Sequence, residues 1–210
     1  MKKRVLCYGD SNTWGFIAGT DAERYPEGIR WTSRMQEYLG DDYVVIEEGY
    51  NGRTTVLDDP IGDRVSGLSY LEPCLRSQAP LDLVVLMVGT NDTKCYFFQN
   101  EYTIANGVAR LVSIIQSCPF GRDKKPPKVL MVSPILIKNP EKDGSFDHRS
   151  ELVSQGFAKA YKEKADMLGC DFMDAAQYAE PDSRDGLHIR ECDFPVLAKA
   201  IGDKVKEIIG

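Results

Sequence analysis

The sequence predicts an α/β protein, a three-layer α/β/α, flavodoxin-like arrangement around a five-stranded parallel sheet, with residues 1–210 forming one domain. Three observations lead there. Short apolar, β-branched runs alternate with segments of helical periodicity from one end of the chain to the other. One of those runs, Leu83-Val84-Val85-Leu86-Met87-Val88, is apolar at every position, which marks a strand covered on both faces. A chain of 210 residues, 42% of them apolar, can also bury roughly 70% of the surface it exposes when unfolded, so its core needs neither a disulfide nor a metal.

The elements follow in order. Arg4 to Tyr8 reads as the first strand, and Trp31, Met35, Tyr38 and Leu39 fall at i, i+4, i+7 and i+8, the apolar stripe of a helix. Tyr43 to Ile46 reads as the second strand. Ser69-Tyr70-Leu71-Glu72 has the form of a capping box opening a short helix, which Pro73 can enter only because it lies near that start. Leu83 to Val88 is the third strand. Ile104, Val108, Leu111, Val112 and Ile115 then carry helical spacing for three turns, and the charged, Pro-rich stretch Pro119 to Pro127 reads as a solvated loop. Val129 to Val132 is the fourth strand, Val153, Phe157, Tyr161 and Leu168 mark a helix, and Asp171 to Met173 is the fifth strand. Leu197, Ala200, Ile201, Val205 and Ile208 close the chain with a last helix.

Composition narrows the function. The net charge of −6 (26 basic against 32 acidic residues) comes with no basic cluster denser than Arg122 to Lys125, so no nucleic-acid partner is expected. Lys2-Lys3-Arg4 resembles the charged start of a signal peptide, but the apolar run behind it, Val5 to Tyr8, is too short for a secretory core. No stretch approaches the roughly 18 apolar residues of a membrane span. The expected location is the cytoplasm. Six cysteines show no CxxC pair and no histidine at ligand spacing, so no metal site or disulfide framework is expected. The only histidines are His148 and His188, which leaves few candidates for imidazole chemistry.

In a parallel sheet, ligands bind beyond the C-terminal ends of the strands. There the sequence places Gly9-Asp10-Ser11-Asn12-Thr13-Trp14-Gly15 after strand one and Glu47-Glu48-Gly49-Tyr50-Asn51-Gly52-Arg53-Thr54-Thr55 after strand two. Gly89-Thr90-Asn91-Asp92 follows strand three, and Asp185-Gly186-Leu187-His188 lies beyond strand five. All four segments would converge on one edge of the sheet.

An ester carbonyl needs a nucleophile, a base near neutral pKa, a group that orients the base and donors aimed at the oxyanion. Ser11 offers an exposed hydroxyl at a strand-to-loop turn. His188 is the natural general base, and Asp185 is close enough to fold back onto its Nδ1. The plainer readings are that Ser11 is a turn or cap residue, that Asp185 caps the last helix, and that Asn91-Asp92 is a strand-ending turn. Asp10 and Asp92 are expected to make structural hydrogen bonds. His148, in the polar segment Lys142 to Ser150, is expected to be a loop residue without a catalytic partner.

These blocks resemble the SGNH hydrolases, the GDSL esterase/lipase family, over nearly the whole chain. Gly9-Asp10-Ser11 matches the block of the nucleophilic serine, Gly89-Thr90-Asn91-Asp92 that of the asparagine, and Asp185-Gly186-Leu187-His188 the terminal DxxH block. Within the family the strings are most similar to the bacterial arylesterase/acyltransferase branch. The resemblance implies the SGNH hydrolase fold and a catalytic set of Ser11, Asp185 and His188. It also implies an oxyanion hole from Ser11, Gly52 and Asn91, with Gly49 a competing position for Gly52. The expected substrate is a small ester, with acyl transfer to alcohols or carbohydrate O-deacetylation as variants of the same chemistry, and no cofactor. Members of the branch form oligomers, so a homo-oligomer is a possible assembly.

Trp14, Tyr50, Tyr96, Phe97 and Ile137 follow the same strand ends and are candidates to line the substrate pocket, or else core or subunit-contact residues. A flavodoxin-like binding module is the alternative of a different class. It lacks GxGxxG and GxxxxGK[ST] and leaves Asp185 and His188 without a role. An α/β-hydrolase is disfavoured because no GxSxG elbow is present.

Overall fold

A computed structural model describes residues 1–62, 64, 66–140 and 144–210. Its sheet is built from β1 (Lys3–Gly9), β2 (Tyr43–Gly49), β3 (Leu83–Met87), β4 (Lys128–Ser133) and β5 (Asp171–Asp174). They are all parallel, in the order β2-β1-β3-β4-β5. The predicted fold class and all five strands are present, most with ends one or two residues from expectation. β2 is the exception, continuing three residues past Ile46 through Glu47, Glu48 and Gly49. Hydrogen bonding to β1 in register, Gly9 opposite Gly49, carries these polar residues although apolar patterning has stopped.

The helices are α1 (Ser11–Trp14), α2 (Trp31–Leu39), α3 (Gly67–Gln78), α4 (Glu101–Ser117), α5 (His148–Gln155), α6 (Phe157–Leu168) and α7 (Phe194–Ile209). α2 and α7 cover one face of the sheet, where Trp31, Met35, Leu197, Ile201 and Val205 pack on Val5, Cys7, Leu83, Val85 and Met87. α3, α4 and α6 cover the other, packing Leu71, Leu75, Val108, Leu111, Phe157 and Tyr161 on Leu6, Tyr8, Val84 and Leu86. Alternate residues of β3 thus enter opposite cores, which is why its run is apolar without interruption.

Three local expectations are corrected. α3 opens at Gly67 rather than at Ser69, capped by the Ser66 side chain, which accepts from the Ser69 amide; Ser69 is the third residue of the helix, and Pro73 lies inside it. The expected helix from Val153 to Leu168 is two helices with Gly156 between them. A side chain at Gly156 would run into Glu101, so a bare residue at the junction lets the turn between α5 and α6 lie against the start of α4. His148 is not a loop residue: it is the first residue of α5, capped by Asp147 through the Arg149 and Ser150 amides. Of the polar segment around it, Lys142 and Asp143 lie outside the described residues. The Pro119–Pro127 stretch is tied down at Arg122, whose guanidinium reaches Asp82 and the Lys2 carbonyl.

The chain goes from β1 to β2 on one side and returns to β3 on the other, so the topological switch point lies between β1 and β3. The segments after β1, β2 and β3 meet around it. No described helix is long and apolar enough to cross a membrane.

Candidate active site

Ser11 is the first residue of α1, directly after β1. Asp10 caps this short helix by accepting from the Asn12 amide at 3.0 Å, and the first N–H groups of a helix have no acceptor within it. Ser11 is 8% exposed, a nearly buried residue.

The loop from Asp182 to His188 closes on itself, with Gly186 N–H donating to the Asp182 carbonyl at 2.8 Å and Asp182 N–H to the His188 carbonyl at 2.6 Å. Gly186 has φ +71°, and a Cβ there would lie 2.0 Å from the Lys138 carbonyl oxygen, so only glycine fits. Within the loop one oxygen of Asp185 accepts from the Leu187 and His188 amides at 2.9 and 3.0 Å. The other meets His188 Nδ1 at 2.6 Å, and His188 Nε2 lies 2.9 Å from Ser11 Oγ. With the carboxylate accepting, Nδ1 carries the proton and Nε2 turns its lone pair to the serine. Burial pushes the Asp185 carboxyl up, but the hydrogen bonds and charge of His188 and the Leu187 amide outweigh it and hold the group below its ordinary value. α7 is preceded by Asp193, so Asp185 is not its cap.

Asn91 lies in a 3₁₀ turn (Thr90–Thr93) after β3 and is 6% exposed. Its side-chain NH2 donates one hydrogen to the Arg53 carbonyl at 3.1 Å; an amide NH2 has a second. Gly52 has φ +77° in a turn closed by Arg53 N–H donating to the Tyr50 carbonyl at 3.1 Å, the left-handed third position that favours glycine. Gly49 is occupied differently. It ends β2 against Gly9, and a Cβ there would lie 2.1 Å from the Trp14 amide nitrogen, so its bareness is what lets α1 sit on the strand.

The chain matches, over residues 7–191, the model of the GDSL-like lipase/acylhydrolase family. It belongs to that family. As a GDSL-like acylhydrolase it is a hydrolase of carboxylic esters, and the SGNH resemblance of its sequence blocks is borne out. An aryl esterase of M. smegmatis in its inhibitor-bound form is 38% identical, with a TM-score of 0.93, covering 99% of this chain and 100% of that one. Est24, a carbohydrate acetylesterase from Sinorhizobium meliloti, is 41% identical at TM-score 0.93 with the same coverage. A putative arylesterase from Agrobacterium tumefaciens is 32% identical at TM-score 0.90, again over 99% and 100%. No curated protein matches the sequence.

In this GDSL-like acylhydrolase the other expected residues separate. Trp14 ends α1, half-buried, with the Arg24 guanidinium 5.1 Å from its ring centre. Tyr50 is exposed beside the end of β1, donating its amide to the Gly9 carbonyl at 3.1 Å. Tyr96 uses its hydroxyl structurally, donating to Asp59 at 2.9 Å beside buried Lys94 at 2.6 Å, and Phe97 rests against it at 4.8 Å. Ile137 lies in the core, 1% exposed, its amide donating to Ser154 Oγ at 3.0 Å. His148 is exposed on α5, 3.6 Å from Glu151. Asp92 accepts from both the amide and the hydroxyl of Thr55, tying the ends of β2 and β3 together.

Sequence reasoning missed two neighbours of His188. Phe16 stacks on the imidazole at 4.3 Å and 18°. Asn12 brackets it: its side-chain nitrogen donates to the Leu187 carbonyl at 3.3 Å and its oxygen accepts from the Ile189 amide at 2.9 Å. The Asn12 signal was its place beside Ser11; a side chain that completes a loop 175 residues away leaves no periodicity to read. Among the described residues no group of three or more His, Cys, Asp and Glu could hold a metal ion.

Proposed function

We propose that this acylhydrolase is a serine esterase of small carboxylic esters, acting as one domain, with Ser11 as nucleophile, His188 as general base and acid, and Asp185 as its orienter. The observation that carries the reading is the hydrogen-bonded line from Asp185 Oδ2 through His188 to Ser11 Oγ, at 2.6 and 2.9 Å. Ser11 Oγ attacks the ester carbonyl while Nε2 takes its proton, and Asp185 stabilises the resulting imidazolium. The tetrahedral oxyanion is held by the Ser11 and Gly52 amides and the second hydrogen of the Asn91 NH2. The intermediate collapses by breaking the bond to the alcohol, which leaves with the proton from Nε2. Water, deprotonated by His188, then cleaves the acyl-enzyme and returns Ser11. An alcohol in place of that water gives acyl transfer. Gly52 is taken as the amide donor because it sits in the turn between Tyr50 and Arg53, whose carbonyl holds the Asn91 amide.

Hydrolysis of p-nitrophenyl acetate tests the reading. Ser11→Ala and His188→Ala should each lower kcat by about 10⁴-fold or more, and a serine-directed phosphonate should label Ser11. His148→Ala should leave the rate unchanged. Full activity in Ser11→Ala would falsify the mechanism. Carbohydrate O-deacetylation is the second reading, favoured by the 41% identity to a carbohydrate acetylesterase. We further place the enzyme in the cytoplasm, a reading supported by six free cysteines, as expected in a reducing compartment. A homo-oligomer is the assembly that the resemblance to the arylesterase/acyltransferase branch suggests.

A further inference from the structure

Arg53 is 3% exposed, an uncommon place for a guanidinium, which loses its hydration on burial and keeps its charge. The other buried arginine at this edge, Arg30, has an ordinary reason to be there: Glu47 pairs with it at 2.7 Å. Arg53 does not follow that pattern. Its Nη1 donates to the Gly9 carbonyl at 2.7 Å and to the Glu48 carbonyl. Its plane is surrounded by the rings of Tyr8, Tyr50 and Tyr70, at 4.1, 5.6 and 5.7 Å. Among the described residues the direct partners of the cation are thus carbonyl oxygens and aromatic faces rather than a carboxylate.

What those carbonyls belong to gives the arrangement its meaning. Gly9 ends β1 two residues before Ser11, and Glu48 is the penultimate residue of β2, four before Gly52. The backbone of the same residue does the rest. Arg53 N–H closes the turn that carries Gly52, and the Arg53 carbonyl accepts from Asn91 and so sets the plane of that amide. The three oxyanion donors come from three different strand ends, and Arg53 touches the support of each.

We propose that Arg53 is a positioning residue for the oxyanion hole: it holds the Ser11, Gly52 and Asn91 donors in mutual register from behind and keeps a fixed positive charge beneath them. The inference rests on the serine-esterase reading above. Its charge is felt nearby: Arg53 helps to draw the Asp10 carboxyl down, although burial dominates and keeps that group raised. A lysine would retain the charge but not the planar fork that spans the ends of two strands. A methionine would fill much of the volume and remove both.

The test is a double-mutant cycle on p-nitrophenyl acetate. Arg53→Met should lower kcat by about a hundredfold, the size of effect a displaced catalytic geometry produces, with KM within about threefold of wild type. Arg53→Lys should recover roughly tenfold of that loss. Because the Arg53 side chain and Asn91 would serve the same oxyanion hole, the Arg53→Met/Asn91→Ala pair should lose less than the product of the two single losses. A purely structural role would lower the melting temperature without that coupling. If Arg53→Met does not fold, the cycle is run with Arg53→Lys. Wild-type kcat in the Arg53 variants, or single losses that multiply in full, overturns the inference. Ser11→Ala separates the two failures: if it is inactive while Arg53→Lys is fully active, only the Arg53 inference falls. If Ser11→Ala is itself active, the esterase reading falls first.

Discussion

Ser11 and His188 are 177 residues apart in sequence and 2.9 Å apart in space, and the side chain beside Ser11 helps to keep them so. Asn12 makes one bond on each side of His188, to the Leu187 carbonyl and the Ile189 amide, so the serine turn carries its own clamp for the segment holding that histidine. Asn12→Ala should lower kcat roughly tenfold and leave buried backbone groups unpaired, at about 1–3 kcal/mol of stability. Asn12→Asp, which keeps the acceptor and loses the donor, should fall between. Steady-state kinetics and urea unfolding measure both, and a wild-type kcat in Asn12→Ala would remove the clamp from the account.

Asp92 provides a pH signature at the same scale. Burial pushes its carboxyl up to about 7, against the opposing hydrogen bonds from Thr55 and with a further push from Asp10. The folded state therefore keeps a proton that the unfolded chain releases near pH 4, and stability falls as pH rises from there through about 7. Asp92→Asn retains an acceptor for Thr55 and cannot ionise. Its stability relative to wild type should rise between pH 5 and pH 8, as read by denaturant midpoints. A constant difference would place the ionisation elsewhere.

Among the elements, the strands and long helices were legible because their signal is local: a buried parallel strand is apolar throughout, and a helix against a sheet repeats every three to four residues. The misplaced features depended on what each segment packs against. The serine that caps α3 is Ser66, three residues before the expected one, and the break at Gly156 reflects its closeness to Glu101. Gly49 is a similar case. It looked like a candidate oxyanion donor, yet its lack of a side chain accommodates the backbone of α1. Gly49→Ala should therefore cost about 1–3 kcal/mol through overpacking and shift Ser11 with α1. Unaltered stability and activity in that variant would mean that β2 and α1 can separate freely.

Across the whole molecule, the order β2-β1-β3-β4-β5 collects the segments after β1, β2 and β3 around one switch point, and the loop beyond β5 reaches across to them. The substrate reading belongs to this scale, because acyl and alcohol pockets are formed by several loops together. A panel of p-nitrophenyl esters and acetylated sugars, with and without added alcohol, should show fastest turnover for short acyl groups and ester product when alcohol is present. A preference for long acyl chains would overturn the small-ester reading, and exclusive hydrolysis would remove acyl transfer.

By itself the sequence determined which residues are candidates for the proposed chemistry and their order: Ser11, Asn91, Asp185 and His188 each stand next to a strand end or in a short motif, and short motifs survive in one dimension. It also left two histidines as candidates for the proposed base, of which one has an aspartate three residues before it. Tertiary structure decided what depends on contact between distant segments. Asn12 and Arg53 bond backbone atoms of other segments, Tyr96 donates to Asp59, Ile137 is buried with its amide on Ser154, and bare Gly49 makes room for the backbone of α1. A hydrogen bond or a close approach between distant segments imposes no spacing on either one, so only the folded chain reveals it.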